Sequence, residues 1–152
     1  MSSEMIALKH LIVDLDDTRI LYQASLHRFR QAEPNQLVRR IAQAHALIAE
    51  NLADRIYASG GGETMRTGKR WRNLRAGWAD LHARFALAPE LDRLRFVRRS
   101  ETRVLRRFEE AIQDNDVYIK CRLQLHRRDL EGTWEEVNHL IHAMSNAAPA
   151  HA

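Results

Sequence analysis

LDRLRFVRRSETRVLRRFEEAIQ, residues Leu91 to Gln113, is the stretch that decides how the chain is read. At about 100° per residue, Leu94, Val97, Val104, Leu105, Phe108 and Ile112 gather on one face of a helix. Glu101 stands in the middle of that face. A carboxylate there requires a partner inside the protein, because burying it unpaired costs several kcal/mol. The segment therefore predicts a helical bundle with a polar residue at its centre.

Working outward, Pro89 opens this third helix as a first-turn residue, and Asp114-Asn115-Asp116 closes it in a tight turn. A fourth helix is expected over about Val117 to Met144, with Ile119, Leu123, Leu130, Val137, Ile141 and Met144 inward. The tail SNAAPAHA reads as frayed, leaving 146–152 disordered after a single bundle domain over 1–145. Upstream, a first helix is expected over about Glu4 to Arg30. Its main stripe is Leu8, Leu11, Ile12, Leu15, Tyr22, Leu26 and Phe29, interrupted by Thr18 and Arg19. A second line, Ile6, Val13 and Ile20, lies roughly opposite and needs its own cover, from a crossing segment or a second subunit. After Pro34-Asn35 a second helix is expected over Gln36 to Ala58. Its stripe is Leu37, Ile41, Ala44, Ile48 and Leu52, with His45 on the shoulder. Ser59-Gly60-Gly61-Gly62 stops it. Trp71, Leu74, Trp78, Leu81 and Phe85 predict an additional short helix over about Lys69 to Phe85.

Two helical hairpins joined by about 30 residues form a particular bundle. Short turns make neighbours antiparallel, whereas the long connection reverses that relation, giving the one-crossover arrangement of ferritin-like folds. The expected fold is thus an all-α, ferritin-like four-helix bundle whose long crossover carries an additional short helix. Ala49-Glu50-Asn51-Leu52, then Ser59-Gly60-Gly61, then Gly77-Trp78-Ala79-Asp80-Leu81 follow in order. Glu101 comes next, with Phe108-Glu109-Glu110-Ala111 seven residues later. In these motifs the chain resembles a small bacterial ferritin-like family of unknown function, related to stress-induced ferritin-like proteins. The resemblance covers roughly Leu8 to Leu140 and implies a stress-linked role.

Ferritin-like di-iron sites take one Glu from each of two helices and a Glu-x-x-His pair from each of the other two. Here only Glu101 occupies such a place. Ala53 follows Glu50 by three residues and Ala42 precedes His45 by three. Arg19 stands where helix one would present a carboxylate. Glu136-Val137-Asn138-His139 has the spacing but not the orientation, because Val137 faces the core. The inward polar residues of helix four are His126 and Thr133. Arg19, His45 and Glu101 fall near the middles of their helices, and an arginine there repels a metal while neutralising Glu101. The expected centre is a buried polar cluster of Glu101, Arg19, His45 and His126, a degenerate metal site with no cofactor. Were the site functional, iron would be the cofactor and Glu101, His45 and His126 its first ligands.

Two decoys fall away. LIVDLDDT, Leu11 to Thr18, resembles the first motif of haloacid-dehalogenase-like phosphotransferases, with Asp14 as nucleophile and Asp16 as acid/base. That chemistry needs a parallel sheet and a later acidic pair, and the segment instead continues a helical stripe through Tyr22 and Phe29. Gly62 to Gly68-Lys69-Arg70 has the wrong spacing for a phosphate loop and Arg70 where Ser or Thr is required.

Basic residues are uneven. Arg95, Arg99, Arg103 and Arg106 line the outer face of helix three, while Arg66, Lys69, Arg70, Arg72 and Arg75 surround Trp71 in the crossover. Such a surface suits nucleic-acid phosphates or an acidic protein, or is simply a solvated face. The net charge of +4 permits an acidic partner without demanding one. One cysteine, Cys121, excludes an intrachain disulfide. The opening MSSEMIALKH lacks signal-peptide character, and no apolar run reaches membrane-spanning length, so a cytoplasmic location without membrane contact is expected. The function so expected is non-enzymatic, through protein contacts including a homodimer. Metal binding is the first alternative, and a basic scaffold for nucleic acid the second.

Overall fold

A computed structural model of the chain describes residues 3–58 and 89–147. The additional crossover helix expected over Lys69 to Phe85, the cations Lys69 and Arg70, and the tail beyond Ala147 lie outside the described residues. Within them, four helices make up an all-α bundle: α1 (Ser3–Ser25), α2 (Ala32–Ala58), α3 (Glu90–Asp114) and α4 (Val117–Ala147).

Each helix end has a local cause. α1 stops earlier than its apolar stripe implies, giving way to a 3-10 turn over Leu26–Arg28 and extended backbone at Phe29. The Asn35 side-chain amide holds that break, donating to the carbonyls of Leu26 (2.8 Å) and Phe29 (3.2 Å). α2 then starts before Pro34 rather than after it. A proline in a first turn costs nothing there, because those amide groups have no intrahelical acceptor. Pro89 caps α3, its carbonyl accepting from Asp92 and Arg93. Asp116 caps α4, its Oδ1 accepting from the Ile119 amide at 3.1 Å.

Two core clusters fix the helix directions. One joins Leu8, Leu11, Ile12 and Leu15 of α1 to Ile48, Leu52 and Ile56 of α2. It also takes in Val104 and Phe108 of α3 and Leu123 and Leu130 of α4. The other joins Leu21 and Phe29 to Leu37, Val38 and Ile41, with Leu94 and Val97 of α3 and Val137 and Ile141 of α4. The start of α1 therefore lies level with the end of α2, the end of α3 and the start of α4. So α1 and α4 run one way, α2 and α3 the other. α2 ends at one pole and α3 begins at the opposite pole, where its Glu90 accepts from the Gln31 amide. α1 packs against α2 and α3, and α4 against the same two, leaving α2 and α3 on a diagonal.

α1 is the most enclosed helix. Besides its main stripe, Lys9, Val13 and Asp16 are buried. Of the second apolar line, Val13 is buried, Ile20 half-buried and Ile6 exposed. α4 is the most peripheral, with four buried residues over 31. Its spacing Leu123, Leu130, Val137, Ile141 is a single narrow seam.

Candidate functional site: a buried Tyr-Glu-His network

Glu101 lies where the α3 pattern places it, at the bundle centre and 1% exposed. Val97 and Leu94 carry its helix into one apolar cluster, Val104 and Phe108 into the other, so the carboxylate forms a polar layer between two hydrophobic ones. Both of its oxygens are engaged. His45 Nε2 is 2.9 Å from Oε1, and the Tyr22 hydroxyl donates to Oε2 at 2.8 Å. A carboxylate oxygen only accepts, so the imidazole proton of this pair is on Nε2. The Tyr22 and His45 rings complete the layer, their centroids 5.8 Å apart and tilted by 41°. Across the diagonal of the bundle, Glu101 thus ties α3 to both α1 and α2.

The electrostatics are those of a closed site. Burial raises the Tyr22 hydroxyl well above its ordinary range, and the neighbouring Glu101 charge and hydrogen bond push it further the same way. Among the described residues His45 Nδ1 is buried without a hydrogen-bond partner.

Of the four residues expected at the centre, the structure joins Glu101 and His45. His45 is fully buried rather than on the shoulder of α2. The helix buries Val38, Ala42, Ala49 and Ala53 as well as its larger apolar residues, and this wider stripe centres on His45. Arg19 is placed elsewhere: it donates to Gln23 at 3.0 Å and faces Asp16 at 3.6 Å along its own helix. Tyr22, one turn on, supplies the donor from α1. His126 is half-buried on α4, its Nε2 without a partner among the described residues, and burial followed by the charge of Arg122 lowers its pKa. Thr133 is turned back onto its own helix, donating to the Leu130 carbonyl at 2.8 Å. Tyr22 was legible as an inward residue, and a buried tyrosine hydroxyl needs an acceptor, which was the available signal.

The described residues do not present the ligand set of a di-metal centre: one carboxylate stands there, each of its oxygens accepts one hydrogen bond, and the histidine nitrogen facing it donates one of them. Among the described residues no three His, Cys, Asp or Glu side chains are grouped closely enough to hold a metal ion. Glu136 and His139 are exposed on α4, and Glu136 pairs with Arg40 of α2 at 3.3 Å. The phosphotransferase decoy is helical throughout Leu11 to Thr18, and Asp14 Oδ2 accepts from Arg107 Nε at 2.8 Å. The Asp14 hydrogen bond is the largest cause raising Arg107 above its usual value.

On the outer surface, Arg95 pairs with Asp92 at 3.1 Å. Arg99, Arg103 and Arg106 are exposed and border a groove with Trp134. Cys121 is exposed. No described helix is long and apolar enough to cross a membrane. No protein-family model, curated protein or solved structure matches the chain.

Proposed function

We propose that this chain is a non-enzymatic, ferritin-like helical bundle in which a hydrogen-bonded network stands where a metal family would hold iron, and that it acts through protein contacts. One observation carries the reading: both oxygens of the single central carboxylate are occupied by protein donors, Tyr22 and His45. A metal held between Glu101 and His45 would have to replace the 2.9 Å hydrogen bond that joins them, and losing such a buried bond costs roughly 1–3 kcal/mol. The parallel relation of α2 and α3 supports the one-crossover arrangement of ferritin-like bundles. The stress link rests on the family resemblance alone.

The contact surface favoured for partners lies at the pole where α2 ends and α4 begins. Tyr57, Val117, Tyr118 and Leu125 are between 62% and 76% exposed there, and Arg55 stacks over the Tyr118 ring at 5.1 Å. Large apolar side chains exposed together mark association surfaces. A homodimer through this pole is the first arrangement to test. Sedimentation of the wild type and of Tyr118→Ser/Leu125→Ser, with metal content of tag-free protein read by mass spectrometry, tests both halves. The reading expects concentration-dependent association weakened by the substitutions, and no stoichiometric metal. A resident metal lost on Glu101→Ala replaces it with the metal-binding alternative.

A further inference from the structure

The fold neutralises many of its arginines. Arg40 pairs with Glu136, Arg95 with Asp92, Arg107 with Asp14 and Glu110, and Arg127 with Glu109 and Glu131. Three consecutive outward arginines of α3 are different. Among the described residues, no carboxylate lies within ion-pairing distance of Arg99, Arg103 or Arg106. They border a groove of about 340 Å³ between α3 and α4, with Arg98, Thr102 and Trp134 completing its lining. Uncompensated like charge held in one groove is a standing electrostatic cost, relieved when an anion enters.

The lining is also ordered. The Trp134 indole Nε1 donates to Thr102 Oγ1 at 3.0 Å, and Thr102 Oγ1 donates to the Arg98 carbonyl at 2.8 Å. Asn138 Oδ1 accepts from Arg98 at 2.8 Å, so Arg98 is fixed by α4. The indole is thereby held as a half-buried part of the lining.

Shape and spacing select among anions. At about 1.5 Å of rise per residue, Arg99 to Arg106 spans roughly 10 Å along α3. The three cations thus form a row along the helix, which suits successive phosphates of a polyanion better than one inorganic phosphate. The aromatic wall adds a face on which an unpaired base can stack, the combination that single-stranded nucleic-acid sites use. A duplex keeps its bases stacked on one another and cannot present one to a recessed indole. An acidic peptide could answer the charges with its carboxylates but reaches Trp134 only where it also carries an aromatic residue.

We propose that the α3–α4 groove binds single-stranded nucleic acid, with phosphates on Arg99, Arg103 and Arg106 and a base against Trp134. This site is separate from the Tyr22–Glu101–His45 centre, and its failure would leave that network untouched.

The test is fluorescence anisotropy of the full-length, tag-free chain with a labelled oligothymidylate of about 16 nucleotides, the upper end of single-strand site sizes. Affinity is followed as salt rises from about 50 to 200 mM, over which phosphate contacts weaken steeply. Binding is expected, with log affinity falling by roughly 0.7 per phosphate for each decade of salt. Arg99→Ala/Arg103→Ala changes exposed side chains only; it should weaken binding at least about tenfold and lower that slope by about 1.4. Trp134→Leu should weaken the single strand about five- to a hundredfold, the range for one lost stacking contact. Circular dichroism confirms that each variant folds. No binding at low salt would overturn the proposal, as would equal affinity of the double-arginine variant. Duplex of the same length bound as tightly, or polyglutamate competing as well as oligonucleotide, would overturn it too. So would loss of binding in Lys69→Ala/Arg70→Ala with retention in the α3 variant.

Discussion

Glu101→Leu removes both acceptors of the central network at once while keeping most of the side-chain volume. Tyr22 Oη then loses its 2.8 Å bond and keeps the weaker contacts it makes with the Val97 carbonyl at 3.4 Å and with the Ser100 side chain. His45 Nε2 loses its partner in a ring whose Nδ1 has none among the described residues. Two stranded buried donors cost roughly 1–3 kcal/mol each. The residual Tyr22 contacts, and release from desolvating a carboxylate, offset part of this, leaving an expected loss of about 2–4 kcal/mol. For a 152-residue chain that lowers the melting temperature by about 5–15 °C. The companion variant Tyr22→Phe/His45→Leu/Glu101→Leu removes the stranded groups too, and should return to within about 1 kcal/mol of wild type or exceed it. Urea unfolding measures both, since a shift in midpoint at constant slope reports stability. A single-variant loss below about 0.5 kcal/mol, or a triple variant as unstable as the single, would refute the idea that these three groups satisfy one another.

The chain has three tyrosines, of which Tyr57 and Tyr118 are exposed. Absorbance titration at alkaline pH should show Tyr118 ionising first, its pKa lowered by Arg55, and Tyr22 only on unfolding. Because Tyr22 is raised in the folded state, its contribution to stability is full below the ordinary tyrosine value of 10.0 and declines as pH rises above it; Tyr22→Phe should flatten that decline. Phe108, fully buried in one apolar cluster, should cost about 3–5 kcal/mol on truncation to alanine, read by the same urea experiment. Arg107→Ala breaks the bond to Asp14 between α3 and α1, but the arginine side chain is 36% exposed. Its loss should be no more than about 1 kcal/mol and should shrink in high salt.

What the sequence made legible was azimuth. The 3.6-residue period put Glu101 at the heart of α3 and the apolar residues of α1, α2 and α4 on their inward faces. Axial level was harder. Arg19 and Tyr22 lie one turn apart on α1, both at inward positions of the sequence pattern, and periodicity alone cannot tell which is level with Glu101 on a helix distant in sequence. The core clusters decide it, because Tyr22 packs with Val97 while Leu15 packs with Val104. His45 was displaced for a different reason. Its stripe is completed by small residues, Ala42, Ala49 and Ala53, which weigh little in a hydrophobic pattern but allow close packing around an imidazole. The start of α2 was hidden by Pro34, which marks a boundary in sequence without saying on which side of it the helix lies. The groove beside Trp134 was half visible: the arginine ladder stands in the sequence, but the aromatic wall comes from a helix some 30 residues away.

The central claim is that each oxygen of Glu101 already accepts from a protein donor. Its most direct test is an anaerobic calorimetric titration of tag-free wild type and Glu101→Ala with Fe²⁺. No binding heat in either protein is the predicted result, since a metal ligated by both Glu101 and His45 means replacing the hydrogen bond between them. About one or two equivalents bound by the wild type and lost in Glu101→Ala would contradict it, and would make the centre a metal site.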